Sequence, residues 1–143
     1  MHPFQQGGQG RLIPGVPVPS AIRTDDAPSA IGPYSQAVRA GSMLFISGQI
    51  PLDPATGEVV DGDIAAQTKR VMDSLDAILR AAGADFSQVV RTTIFLTDLR
   101  NFGQVNEVYG SYFGDPQPSR ATLQVAALPK GVGVEIDAIA HLG

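Results

Sequence analysis

The chain has 143 residues, 43% of them apolar and 17% charged, the length and balance of one globular domain rather than a disordered segment. It contains no cysteine, which excludes disulfides, thiolate metal sites and a cysteine nucleophile. The net charge of −4 argues against a general polyanion binder, and the two histidines, His2 and His141, are too far apart in the chain to suggest a metal-ligand cluster.

Residues 1–20 are rich in Gly, Pro and Gln and carry no hydrophobic period, so they read as a loose tail ahead of a single domain over residues 21–143. The first ten residues lack a basic stretch followed by an apolar one, and no apolar run reaches the ~18 residues of a membrane span. The expected location is the cytoplasm. Asp25 to Pro33 is turn-rich. Gln36 to Ala40 and Met43 to Gln49 read as a strand pair around a Gly41-Ser42 turn, and Asp53 to Gly57 reads as a further turn. Asp61 to Ala82 is a helix by period, with Ile64, Thr68, Val71, Leu75, Ile78 and Leu79 on one stripe, Asp63 as N-cap and Gly83 just past the end. Val89 to Leu96 is β-branched and reads as a strand with apolar residues on both faces. Leu99 to Phe113 carries a second helical stripe of Phe102, Val105, Tyr109, Tyr112 and Phe113. Two strand-like runs close the chain, Ala121 to Val125 and Val132 to Ala140, on either side of a Leu128-Pro129-Lys130-Gly131 break. Two helices cover one face of such a sheet. The other face is left bare although Met43 and Phe45 project oppositely to Leu44 and Ile46, so packing against other subunits is expected.

No G-x-S-x-G, GxxxxGK[ST], GxGxxG or HExxH occurs, and a serine triad lacks a plausible histidine base. Two residues of the last part stand out. Arg120, at the mouth of a strand, reads either as an anion-holding guanidinium or as a solvated strand-end charge. Glu135, in a mostly apolar strand, reads either as a carboxyl with a tuned pKa or as one that faces water.

Five stretches then carry a resemblance in order along the chain: Ala27-Pro28 with Ile31-Gly32-Pro33-Tyr34-Ser35-Gln36-Ala37; Ser47-Gly48-Gln49-Ile50-Pro51; Val105-Asn106 with Tyr109; Pro118-Ser119-Arg120; and Val134-Glu135-Ile136 with Ala138-Ile139-Ala140. They are similar to those of the RidA/YjgF family of reactive enamine and imine deaminases, over about Asp25 to Ala140. The resemblance implies an α+β, chorismate-mutase-like fold: a mixed β-sheet with two helices packed on one face, assembled as a homotrimer with clefts between subunits. It implies hydrolysis of 2-imino acids such as 2-iminobutyrate and 2-iminopropionate to 2-keto acids and ammonia, without metal or organic cofactor. In that reading Arg120 grips the substrate carboxylate, Glu135 activates water or shuttles its proton, and Tyr34 lines the cleft near the imine. Ser47, the Gly48 backbone and Asn106 shape the pocket, and the Thr122 backbone adds a donor. The family often has Ser-Cys after the arginine, where this chain has Ala121-Thr122. A backbone role survives that change and a thiol role does not. The loop GDPQPS before Arg120 is also short. The competing expectation is a non-catalytic module that binds small keto acids with the same arginine. An RNA-cleaving activity, sometimes attached to the family, fits poorly with the acidic charge and the absence of an interleaved basic and aromatic stripe.

Overall fold

A computed structural model of the chain describes residues 12–143. The first eleven residues of the expected tail lie outside the described residues. Residues 12–19 join no strand or helix, and Ser20 opens a strand. In chain order the elements are β1 (Ser20–Ile22), β2 (Ala37–Ala40), β3 (Met43–Gln49), α1 (Ile64–Ala81), β4 (Val89–Leu96), α2 (Phe102–Gly110), β5 (Ser119–Gln124) and β6 (Val134–His141). No helix among the described residues is long and apolar enough to cross a membrane.

The six strands form one mixed sheet in the order β1-β2-β3-β6-β4-β5. Only β4 and β5 pair in parallel, joined by the crossover through α2. The last strand, β6, inserts between β3 and β4 and is antiparallel to both. Thus β3 and β4, joined through α1, also run parallel, with β6 between them.

Helix α1 begins where Asp63, in extended conformation, accepts from the Ala66 amide, and ends before Gly83, whose φ of 76° suits a residue without a Cβ. Its stripe is buried as expected: Thr68, Val71, Leu75, Ile78 and Leu79, with Met72 and Ser74 beside them. Full burial of an aliphatic side chain of this size is worth about 1.5–3 kcal/mol. The facing sheet surface supplies Leu44, Ile46, Ile94, Leu96, Val134 and Ile136, each nearly inaccessible.

Three expectations need correcting. Strand β1 lies where the composition shows only tail and turn; three residues with one half-buried side chain carry no readable period. The second helix is shorter than Leu99 to Phe113. Asp98 caps a 3-10 turn over Leu99–Asn101 and the α-helix stops at Gly110, so Tyr112 and Phe113 reach the core from beyond it. Phe113 packs on Phe86 and Tyr109 at 5.1 and 4.8 Å between ring centroids. Phe102 is not core: it stays 37% exposed.

The segment before β2 has little regular structure, yet a single buried side chain ties it down. The Gln36 amide oxygen accepts from the Thr24 amide at 2.8 Å, and its nitrogen lies within reach of the carbonyls of Thr24 (3.1 Å), Ala27 (3.3 Å) and Pro28 (2.8 Å). Gln36 is 4% exposed, so water cannot replace these partners readily. Replacement by leucine should therefore destabilise the protein by about 1–3 kcal/mol for each backbone group left buried and unpaired. Urea denaturation at fixed protein concentration measures the loss, and the Thr24 amide should exchange faster with solvent.

Candidate functional site

A cleft of about 560 Å³ opens where the Gln36-clamped segment, the end of β3 and the turn before β6 meet; Tyr34, Ser47, Gly48 and Glu135 are among the residues that line it. Four of the residues singled out in the sequence thus come together. The end of β3 reaches the cleft through a β-bulge. Ile46 pairs with Ala138 and Gln49 with Ile136, so three steps on β3 oppose two on β6. Ile46 and Gln49 are both buried, while Ser47 and Gly48 take up the extra residue. Ser47 anchors the bulge to the clamped segment: its hydroxyl donates to the Ser35 carbonyl at 2.6 Å and its amide to the Gln36 carbonyl at 2.9 Å. Tyr34 is 53% exposed and presents its ring at the cleft wall.

Glu135 alternates with buried Val134 and Ile136, and its side chain lies half-buried on the sheet face away from the helices. Burial, and secondarily the like charge of Asp137 two residues along the same face, push its carboxyl above the ordinary carboxylate range. A carboxylate so placed is a better proton acceptor near neutral pH than a free one.

The sequence reading did not assign Pro129 and Lys130 to the cleft, although both line it. Lys130 has φ 58°, unusual for a residue with a side chain, and its ammonium donates to the Gly57 carbonyl at 3.2 Å, joining the turn before β6 to the Asp53-to-Gly57 turn. The signal visible in the sequence is the Pro129-Lys130-Gly131 break, which by itself marks only a turn.

Arg120, Asn106 and Thr122 lie elsewhere in the protomer. Arg120 registers with Thr92 on the parallel edge strand β5. Thr92 is buried on the helix-covered face, bonded to the Tyr109 hydroxyl at 2.6 Å. The guanidinium stands over the Phe102 and Tyr109 rings, 5.4 and 5.1 Å from their centroids, and donates to Asn106 Oδ1 at 2.7 Å. Burial pushes the Tyr109 phenol up, and the Thr92 bond and the Arg120 charge work against that. The Thr122 hydroxyl is buried without a hydrogen-bond partner among the described residues. Arg120 is thus an exposed cation held in one orientation by two rings and an amide, a geometry suited to receiving a carboxylate side-on. Glu135 and Arg120 sit on strands two apart, about 9–10 Å laterally, with registers at Phe95 and Thr92 that offset them by three residues along β4, and they project from opposite faces within one chain.

Comparison with known proteins agrees with this architecture. The family model described as Endoribonuclease L-PSP matches residues 24–142. Protein DfrA of Myxococcus xanthus is 66% identical over 122 residues, covering 84% of this chain and 93% of the relative. The 2-iminobutanoate/2-iminopropanoate deaminase of Mus musculus is 52% identical over 122 residues, 85% of this chain and 90% of the relative. Among solved structures, that of E. coli TdcF with bound serine superposes with a TM-score of 0.81 at 45% identity, over 85% of this chain and 98% of the other.

The raised pKa of Glu135 fixes the sign of a stability test. A carboxyl whose folded pKa exceeds its unfolded value of about 4.3 favours the fold fully only below that value, and the contribution is lost as pH rises through the folded pKa. Glu135→Gln, which cannot ionise, should therefore gain in melting temperature relative to the parent between pH 4 and pH 8, with the two converging at the acid end. Parallel thermal melts across that range check it.

Proposed function

The chain belongs to the YjgF/RidA family, the family whose model is described as Endoribonuclease L-PSP, and we propose that it hydrolyses small 2-imino acids, such as 2-iminobutyrate and 2-iminopropionate, to 2-keto acids and ammonia. The observation that carries the reading is the half-buried Glu135 carboxyl, with its raised pKa, in a cleft also lined by Tyr34 and the β3 bulge. The deaminase-named mouse relative and the serine-bound TdcF structure support a small amino-acid-derived ligand.

The chemistry balances with these groups alone. Glu135 takes a proton from water as the water oxygen attacks the imine carbon. Glu135 returns that proton to the nitrogen, giving the carbinolamine; it then carries the carbinolamine hydroxyl proton to the same nitrogen, the C–N bond breaks, and ammonia leaves as the ketone forms. An enamine first tautomerises to the imine. Tyr34 lines the cleft beside the imine, and the Ser47-Gly48 backbone shapes its floor. Arg120, fixed by Asn106, Phe102 and Tyr109, grips the substrate carboxylate through two parallel N–H donors. The Thr122 backbone adds a donor on the same edge strand.

Because the sheet separates Arg120 from Glu135 within one chain, the two act on one small substrate only across a contact between copies. With the family resemblance, which implies three subunits, we propose that the working unit is a homotrimer with its clefts between subunits. Exposed Phe45 and Leu123 lie on the face that no helix covers and support that assembly. Light scattering should give three times the chain mass at micromolar concentration; a monomer would overturn the shared cleft.

Losing one partner of a desolvated charge pair costs about 2–5 kcal/mol, roughly 30- to 4,000-fold at about 1.4 kcal/mol per tenfold. Arg120→Ala should lower keto-acid release from 2-iminobutyrate generated in situ by that factor, with circular dichroism and assembly unchanged. Arg120→Lys keeps the charge but not the fork and should remain impaired. Glu135→Gln should reduce kcat by about 10²–10⁴ with a smaller effect on KM. Protein that binds keto acid but turns over no imine would identify a non-catalytic binding module instead. Cleavage of RNA that disappears with Arg120→Ala would point to the nuclease activity in the family model's description.

A further inference from the structure

Resting on the hydrolytic reading above, we infer that Gly48 is the positioning residue for Glu135: the absence of a side chain at the β3 bulge lets the Glu135 carboxylate lie against the strand, and this seat sets where the carboxylate stands in the cleft.

A Cβ added at Gly48 would overlap Glu135 Oε2 outright and would stand 2.9 Å from Cδ and 3.1 Å from Cγ. Real Cβ contacts essentially never fall below 3.0 Å. The carboxyl group and the methylene beside it therefore occupy the space a side chain at position 48 would fill. The requirement is one of space, not of backbone conformation, since Gly48 does not adopt a positive φ. The bulge is what makes the approach possible. Pairing with one extra residue on β3 brings the Gly48 backbone to the sheet face from which Glu135 projects.

The groups around the carboxyl explain why the seat matters. Asp137 shares its strand and face. Beside it, β4 offers Thr93 and Phe95, and β3 offers Ser47 and Gly48; none of these carries charge. Across the cleft stand Tyr34 and Lys130, and the Lys130 ammonium is engaged at the Gly57 carbonyl. No cation is paired with Glu135 among the described residues, so the position of the carboxyl against the strand governs how far water reaches it. Moved outward by a methyl group, it is better hydrated and lies off the line of attack. Misplacement by about 1 Å can cost about a hundredfold in rate.

The test is Gly48→Ala in the full chain. Glu58, Glu107 and Glu135 are the three glutamates, so labelling glutamate with carbon-13 at the side-chain carboxyl gives three titrating signals, with Glu135 assigned by its loss in Glu135→Gln. In the parent the Glu135 signal should titrate above the ordinary glutamate range; in Gly48→Ala it should move down toward that range. The acidic limb of the kcat profile for 2-iminobutyrate should move to lower pH with it, while kcat falls about a hundredfold and KM changes less. Added to Glu135→Gln, Gly48→Ala should cost nothing further, because two residues acting as one unit are not additive. If Gly48→Ala also lowers stability, Glu135→Ala in the same chain should restore most of it, since the atoms met by the new Cβ are then gone. An unchanged Glu135 titration, a full additional loss in the Glu135→Gln background, or an instability untouched by Glu135→Ala would each overturn the inference. A parent protein that turns over no imine, yet whose Glu135 titration moves in Gly48→Ala, would sink the deaminase reading and leave the seat standing.

Discussion

Strand β6 is the element on which the rest depends. It is paired on both sides, by β3 and by β4, and its side chains alternate without a break. Val134, Ile136, Ala138 and Ala140 go to the helix side and are buried; Glu135, Asp137 and Ile139 go to the other. A one-residue slip in this strand would exchange the two sets, placing two carboxylates under α1 and four apolar residues in the open. The cost of burying unpaired charge is far greater than any local preference, so the register is strongly determined. The same alternation that closes the core also turns Glu135 toward the cleft.

Residues far apart in sequence reach that cleft through two local devices. The bulge at Ser47 and Gly48 keeps Ile46 and Gln49 both buried while leaving a strip of bare backbone on the opposite face. The Gln36 side chain acts as a surrogate strand for the preceding segment, meeting backbone groups at Thr24, Ala27 and Pro28 that would otherwise be buried without partners. Ser47 links the two devices through Ser35. The cleft wall is thus cross-linked by hydrogen bonds although it contains little regular structure.

The cationic half of the proposed site is organised differently. Arg120 is exposed, yet Phe102, Tyr109 and Asn106 hold its guanidinium over α2, so little side-chain entropy remains to be lost when an anion arrives. This also accounts for Phe102, which has the spacing of a core residue and instead serves as a partly exposed platform.

Most element types are legible from the amino-acid order alone, because they rest on strong local signals. The stripe of α1 with its Asp63 cap, the β-branched run of β4 and the alternation in β6 are each legible as periods. The ordered motifs from Ala27 to Ala140 point to the family; of the residues they nominate, Tyr34, Ser47, Gly48 and Glu135 line one cleft, and Arg120, Asn106 and Thr122 do not. The relations between distant segments emerge only from the folded chain. β1 is recognisable only from its pairing with β2, since three residues hold no period. The insertion of β6 between β3 and β4 depends on long-range hydrogen bonds that no local pattern encodes. The opposite-face placement of Arg120 and Glu135 follows from that strand order together with the parity of each register. The closeness of Gly48 to the Glu135 carboxyl is of the same kind: a glycine in a strand signals that something approaches it, but only the packed sheet identifies what.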